Sequence, residues 1–125
     1  MYHVAVRKDF MAQHYLIGGD WGEENQKHTH HYVLELDLRG KELDQHGYLV
    51  DIDDIERNLK RVIKKFSDKT LNDMPEFKDQ NPSLERFARI ICEDLFNHIK
   101  AENINQFIVT LWENEVAWAS YEMER

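Results

Sequence analysis

Several features that would place this chain in a specialised class are scarce or missing. Its 125 residues include a single cysteine, Cys92, so no internal disulfide framework can form, which fits a reducing compartment. No uninterrupted apolar run approaches the length of a bilayer span, so we expect no association with a membrane. The first seven residues lack both a basic start and a long apolar stretch. We therefore expect no signal peptide and a cytoplasmic location.

Positive charge is also in deficit. The 16 Lys and Arg residues are outnumbered by 24 Asp and Glu, which gives a formal net charge of −8. Binding a phosphate backbone needs a basic surface, so this balance argues against nucleic acid as the main partner. A small anionic ligand remains open, provided that a bound cation or nearby basic side chains supply local positive charge. The length and the 42% apolar content predict one globular domain over residues 1–125, with no linker or repeat.

The hydrophobic pattern predicts strands in the first third of the chain and at its end. Residues 3 to 15 read as one strand and residues 28 to 38 as the next, with every second side chain apolar from Tyr32 to Leu38. Residues 107 to 113 and 116 to 122 alternate in the same way around a short Asn114-Glu115 turn, which predicts a hairpin. These strands also carry large aromatic side chains that would enlarge any exposed face: Tyr32, Trp112, Trp118 and Tyr121.

Between these strand pairs the apolar period changes from two to about three and a half. A helix is predicted from Asp51, which together with Asp53 is a candidate N-cap, to Phe66. A second helix is predicted from Asn81-Pro82, with Asn as the cap and Pro as the first helical residue, to about Lys100. The resulting ββααββ order predicts an α+β fold in which a four-stranded antiparallel sheet carries two helices on one face. We expect self-association to cover the remaining strand faces and edges.

A group of histidines stands at the ends of the first two predicted strands. His28 and His30 extend the apolar face of the second strand, because side chains two residues apart in a strand point the same way. His14 has the parity of Val4, Val6, Phe10 and Ala12 in the first strand. Three neutral imidazoles would leave a fourth zinc position open for water or substrate, which is typical of a catalytic site. The alternative is a polar strand end with ordinary exposed histidines.

Six short segments, in this order and spacing, carry a resemblance to a known family: Phe10-Met11-Ala12-Gln13-His14, His28-Thr29-His30-His31-Tyr32, Gly47-Tyr48-Leu49-Val50-Asp51, Leu71-Asn72-Asp73, Asn81-Pro82-Ser83-Leu84-Glu85, and Trp112-Glu113-Asn114 with Tyr121. Along nearly all of its length the chain resembles the 6-pyruvoyl-tetrahydropterin synthase family, which includes the bacterial 6-carboxytetrahydropterin synthases. No one segment is decisive, but together they are specific.

The resemblance implies a fold, an assembly and a set of site residues. The fold is the tunnelling fold, in which subunits join edge to edge into a barrel, commonly as a homohexamer built as a dimer of trimers with active sites between subunits. His14, His28 and His30 would hold Zn²⁺, and Glu113 would anchor a pterin. A carboxylate suits that task because it can accept two parallel hydrogen bonds from the amino group and a ring N–H. The alternative for Glu113 is a surface carboxylate at the end of a hairpin.

The chain also departs from the family pattern at positions that handle protons. Glu24 stands where the family usually has a cysteine, and Thr29 replaces the glycine between two of the zinc-binding histidines. The usual Asp-His pair falls on Ser67-Asp68, so the partner imidazole is missing. Asn114 replaces the threonine that follows the anchoring glutamate. Compared with the family pattern, the chain therefore keeps the residues that match the metal ligands and the pterin anchor, and it differs at the proton-transfer residues.

Three interpretations fit these departures. In the first, the chain is a zinc-dependent lyase of the 6-pyruvoyl-tetrahydropterin synthase type acting on the side chain of 7,8-dihydroneopterin triphosphate or a close relative. Glu24 then replaces the thiol as general base, and Asp68 relays or orients the second proton. In the second, the chain binds a pterin without turning it over. In the third, zinc-bound water acts on a different substrate.

The remaining acids and histidines have simpler explanations. Glu24 lies beside Glu23, and an ordinary loop acid is its alternative role. The remaining histidines are predicted to be structural or exposed, with one of them pointing away from the metal: His31, His3, His46 and His98.

Overall fold

The computed structural model describes all 125 residues as four strands and two helices. In chain order these elements are β1 (Tyr2–His14), β2 (His28–Gly40), α1 (Ile52–Phe66), α2 (Leu84–His98), β3 (Gln106–Trp112) and β4 (Trp118–Glu124). Short 3-10 turns occupy Gly22–Asn25, Leu71–Asp73 and Pro75–Phe77. The predicted ββααββ order is confirmed. Neither helix has the length and apolar character needed to span a bilayer.

All four strands form one antiparallel sheet in the order β1-β2-β3-β4. The β1–β2 pairing runs from Tyr2 opposite Gly40 to His14 opposite His28. The β2–β3 pairing stops at Val33 opposite Trp112. The β1–β2 hairpin therefore projects beyond β3, and residues 28–32 of β2 lie on that projecting part.

The side chains on one face of the sheet pack against both helices. A single cluster of 24 buried apolar residues fills this space, and Phe87 of α2 lies at its aromatic centre. Its ring meets those of Tyr32 and Phe10 edge-on, at centroid distances of 5.2 and 5.9 Å. The prediction that Tyr32 adds to an exposed aromatic face is wrong, because this side chain is only 1% exposed and belongs to the core. Trp118, by contrast, is 58% exposed.

The sequence predicts the N-cap of α1 correctly and that of α2 incorrectly. Asp51 caps α1 as predicted, because its carboxylate accepts a hydrogen bond from the Asp53 N–H. The predicted cap of α2 at Asn81 was wrong. Ser83 caps this helix by accepting from the Arg86 N–H, and Pro82 precedes the helix. The Asn81 side chain is occupied elsewhere, since it bonds both backbone groups of Ile17. The helix ends at His98 rather than near Lys100.

Candidate metal centre

Three imidazoles converge where β1 ends and β2 begins. His14 lies directly opposite His28 in the strand register, and His30 points to the same face two residues along β2. The ring centroids are 4.5 Å apart for His14 and His28, 4.8 Å for His14 and His30, and 4.9 Å for His28 and His30. One ligand atom from each residue lies within 4.8 Å of the others. Strand alternation and the hairpin register together therefore bring the three predicted residues into one group.

The orientation of His28 is fixed by a backbone carbonyl. Its Nδ1 lies 2.8 Å from the Gln26 oxygen, and a carbonyl can only accept a hydrogen bond. Nδ1 therefore carries the hydrogen, and Nε2 of the neutral ring carries the free electron pair. This Nε2 is buried and has no hydrogen-bond partner. A buried nitrogen with an unused electron pair is unfavourable unless a ligand binds it, which fits a metal cation.

The charge state of His14 also suits a metal ligand. This side chain is 7% exposed, and burial followed by the neighbouring His30 and His28 lowers the pKa of His14 from 6.5 to about 4. The ring is consequently neutral at pH 7, which is the form that coordinates metals. Its Nδ1 lies 3.1 Å from the Tyr32 hydroxyl, so Nε2 is the nitrogen left for a ligand.

The donor set narrows the class of cation. Three neutral imidazole nitrogens with no carboxylate in the group match the ligands preferred by zinc and neighbouring transition metals. Calcium and magnesium prefer oxygen ligands instead. The residues present therefore fit zinc, and a zinc ion held by these three residues would have one coordination position left for water or substrate.

Two asparagines hold the chain immediately after His14. The Asn72 side chain accepts from the Tyr15 N–H at 2.9 Å and donates to the Tyr15 carbonyl at 2.8 Å. Asn81 accepts from the Ile17 N–H at 2.7 Å and donates to the Ile17 carbonyl at 3.1 Å. Each side-chain amide thus forms the two backbone hydrogen bonds, to N–H and to C=O, that a neighbouring strand would otherwise provide. Both asparagines belong to segments that carry the family resemblance, and these contacts give their physical role.

Glu113 follows β3 directly and is half-buried. Its backbone N–H donates to the Ala117 carbonyl at 3.2 Å, which closes the β3–β4 turn. Burial, followed by the negative charge of Glu113, raises the pKa of the Tyr32 hydroxyl above its usual value of 10.0.

The other two predicted site residues lie outside the imidazole group. Glu24 is exposed in the Gly22–Asn25 turn, and its backbone carbonyl accepts from the Leu16 N–H at 2.9 Å. Asp68 is exposed beyond the end of α1, with a left-handed φ of 60° that aspartate tolerates better than most residues. Its N–H donates to the Met11 carbonyl at 2.7 Å, on the outer edge of β1. Neither carboxylate is part of the imidazole group within one chain.

The remaining histidines have partners of their own. His31 points to the opposite face of the sheet, where its Nε2 lies 2.7 Å from the Asp9 carboxylate. His3 lies 3.9 Å from Asp37, and Nδ1 of His98 lies 2.8 Å from the Asp94 carbonyl. The prediction that His31 points away from the imidazole group is confirmed.

Comparison with known proteins gives one consistent result. A family model described as 6-pyruvoyl tetrahydropterin synthase matches residues 3–124. A 6-pyruvoyl tetrahydrobiopterin synthase of Dictyostelium discoideum is 30% identical over an alignment 122 residues long; the matched part is 82% of this chain and 90% of that protein.

The fold is shared with solved structures. The 6-pyruvoyl tetrahydropterin synthase of Caenorhabditis elegans has a TM-score of 0.86 at 21% identity, covering 98% of this chain and 96% of that chain. A Plasmodium vivax 6-pyruvoyltetrahydropterin synthase with a catalytic glutamate replaced by cysteine has a TM-score of 0.82 at 16% identity, covering 99% and 98%. The tunnelling fold expected from the sequence is confirmed at the level of one subunit, a four-stranded antiparallel sheet with two helices.

Proposed function

Because the chain belongs to the 6-pyruvoyl tetrahydropterin synthase family, we propose that it is a zinc-dependent lyase acting on the side chain of 7,8-dihydroneopterin triphosphate or a close relative. The observation that carries this proposal is the convergence of His14, His28 and His30 into one group where β1 ends and β2 begins. A metal held there and a pterin anchored by Glu113 would hold the two ends of one substrate, its side chain and its ring.

The imidazole group and Glu113 would bind different parts of the substrate. Zinc held by His14, His28 and His30 would supply a Lewis acid beside the side-chain oxygens of the substrate. Glu113 would accept two hydrogen bonds from the amino group and a ring N–H of the pterin, which fixes the ring against rotation. Holding both ends in one geometry lowers the entropic cost of reaching the transition state.

Glu24 is proposed as the general base and Asp68 as the residue that relays or orients the second proton. Glu24 lies on the loop that joins His14 to His28, four residues before the latter, so modest movement of this loop changes its distance to the metal centre. The Plasmodium vivax relative, in which a glutamate is described as catalytic, supports a carboxylate in this task. Shielding from water by another subunit would tune the proton affinity of both carboxylates.

We propose that the chain assembles as a homohexamer, a dimer of trimers, in the cytoplasm. β1 and β4 are the two edges of the sheet, and unpaired strand edges favour association. Three large apolar side chains are also exposed to solvent: Val116 (86%), Tyr48 (65%) and Trp118 (58%). Burial of these side chains against other copies of the chain would favour association. Active sites between subunits would bring carboxylates such as Asp68 to a metal group on a neighbouring copy.

Incubation of the zinc-loaded protein with 7,8-dihydroneopterin triphosphate tests the proposal directly. We expect mass spectrometry to show a pterin with an altered side chain and, in equal amount, released triphosphate. The same protein stripped of metal by a chelator is the control and should give no product. Retained pterin binding with no product from the zinc form would contradict the proposed activity.

A second candidate function is a non-catalytic or substrate-shifted homologue that binds zinc and a pterin. The exposed positions of Glu24 and Asp68, together with the absence of the usual cysteine and histidine, favour it. Binding without turnover in the incubation above would identify this function.

Replacing Glu113 with glutamine should weaken pterin binding by roughly 10- to 100-fold, because a charge-assisted hydrogen bond contributes about 1.5–3 kcal/mol. The amide keeps the size of the side chain but loses one acceptor and the charge. Calorimetric titration with 7,8-dihydroneopterin measures the effect. Glu115→Gln, at an exposed position in the same turn, is the matched control and should bind like the wild type. Equal affinity of both variants would remove Glu113 from the pterin site.

A further inference from the structure

The hydroxyl of Tyr32 is a polar group at the boundary between the aromatic core and the imidazole group. Its ring stacks on Phe10 at 5.3 Å and meets Phe87 edge-on at 5.2 Å, so the core fixes its position. The side chain is 1% exposed, and its hydroxyl is hydrogen-bonded to His14 Nδ1 at 3.1 Å. Solvent therefore cannot replace this contact without opening the core.

The chemistry of imidazole sets the direction of this hydrogen bond when a metal is present. A neutral ring carries one hydrogen, so coordination through Nε2 requires the hydrogen to be on Nδ1. Nδ1–H then donates to the Tyr32 oxygen. A backbone carbonyl does the same for His28, where Nδ1 lies 2.8 Å from the Gln26 oxygen. Two of the three imidazoles are thus oriented by an oxygen acceptor behind them, one from the backbone and one from a side chain.

Tyr32 also borders a second member of the imidazole group. Its ring lies 5.8 Å from that of His30.

We propose that Tyr32 is a positioning residue that accepts a hydrogen bond from Nδ1–H of His14 and directs Nε2 of that ring to the metal. This inference rests on the proposed function, because it assigns how one of the zinc ligands is held. Acceptors behind metal-bound imidazoles typically change metal affinity 10- to 100-fold when removed.

Tyr32→Phe tests the proposal, since it keeps the ring in the core and removes only the hydroxyl. We expect zinc affinity, measured by competition with a chromophoric chelator, to fall about 10- to 100-fold. In the zinc-loaded wild type, long-range proton–nitrogen NMR should show hydrogen on Nδ1 of His14, exchanging slowly with solvent. In Tyr32→Phe this hydrogen should exchange faster, which a purely structural role would not cause. Tyr2→Phe, at a 51% exposed position at the other end of β1 from His14, is the control and should match the wild type in both readouts.

Two outcomes would overturn the inference in different ways. If Tyr32→Phe binds zinc as tightly as the wild type with the same exchange rate, the positioning role is wrong and the proposed function stands. If the wild type itself binds no zinc, the proposed function fails and this inference fails with it.

Discussion

His28→Ala is expected to abolish stoichiometric zinc binding, with an affinity more than about 100-fold below that of the wild type, since removing even an indirect partner of a metal ligand costs 10- to 100-fold. Nε2 of His28 is buried and has no hydrogen-bond partner, so its lone pair is available to bind the metal. Two remaining imidazoles would hold the cation only with extra water ligands. Metal analysis of the dialysed protein by mass spectrometry measures the loss, and pterin turnover should disappear with it.

The chain offers a matched control three residues away. His31 lies on the same strand, but it faces the opposite side of the sheet and pairs with Asp9. His31→Ala should therefore keep one zinc per chain while removing the same side chain from the same strand. A full equivalent of zinc in His28→Ala, or equal losses in both variants, would show that this residue is not a ligand.

Glu24→Gln is expected to lower the turnover rate by about 10²- to 10⁴-fold, the usual contribution of a general base. Zinc content should stay at the wild-type level, because Glu24 is not part of the imidazole group. Pterin affinity should also be kept, since the ring is assigned to Glu113. Steady-state assays with 7,8-dihydroneopterin triphosphate would place the effect on kcat rather than on KM.

Glu23 provides the comparison for this variant. It precedes Glu24 in the same exposed turn and carries the same charge, so Glu23→Gln reproduces the change in net charge without touching the proposed base. A normal rate in Glu23→Gln with a slow Glu24→Gln would support the assignment. An unchanged rate in Glu24→Gln would remove this carboxylate from the mechanism.

The sequence predicts the sheet and the imidazole group because both depend on strand alternation. His28, His30 and Tyr32 share one parity, and the register of the first hairpin then requires only that His14 lie opposite His28. Those relations are local or involve neighbouring strands. Strand alternation also places Tyr32 on the same face as His28 and His30. The contact of its hydroxyl with His14 could not be predicted, because it depends on the packing of the aromatic core, which periodicity does not describe.

Contacts between distant segments were harder to predict. Asn81 has the residue type of a helix cap, yet its side chain binds Ile17, 64 residues away, and leaves the cap to Ser83. Local sequence favoured Asn81 because capping is a short-range rule, whereas the competing partner is set by the tertiary fold. Glu24 and Asp68 were proposed by resemblance, and within one chain both side chains are exposed. Assembly is the kind of interaction that a single sequence or a single subunit does not display.

Zinc-edge anomalous diffraction from crystals of the zinc-loaded protein tests most directly whether the three imidazoles hold a metal. We expect one anomalous peak per chain within bonding distance of a nitrogen from each of His14, His28 and His30, with the fourth position open to water or substrate. A peak located elsewhere, or three imidazoles with no peak among them in crystals grown with excess zinc, would contradict this expectation.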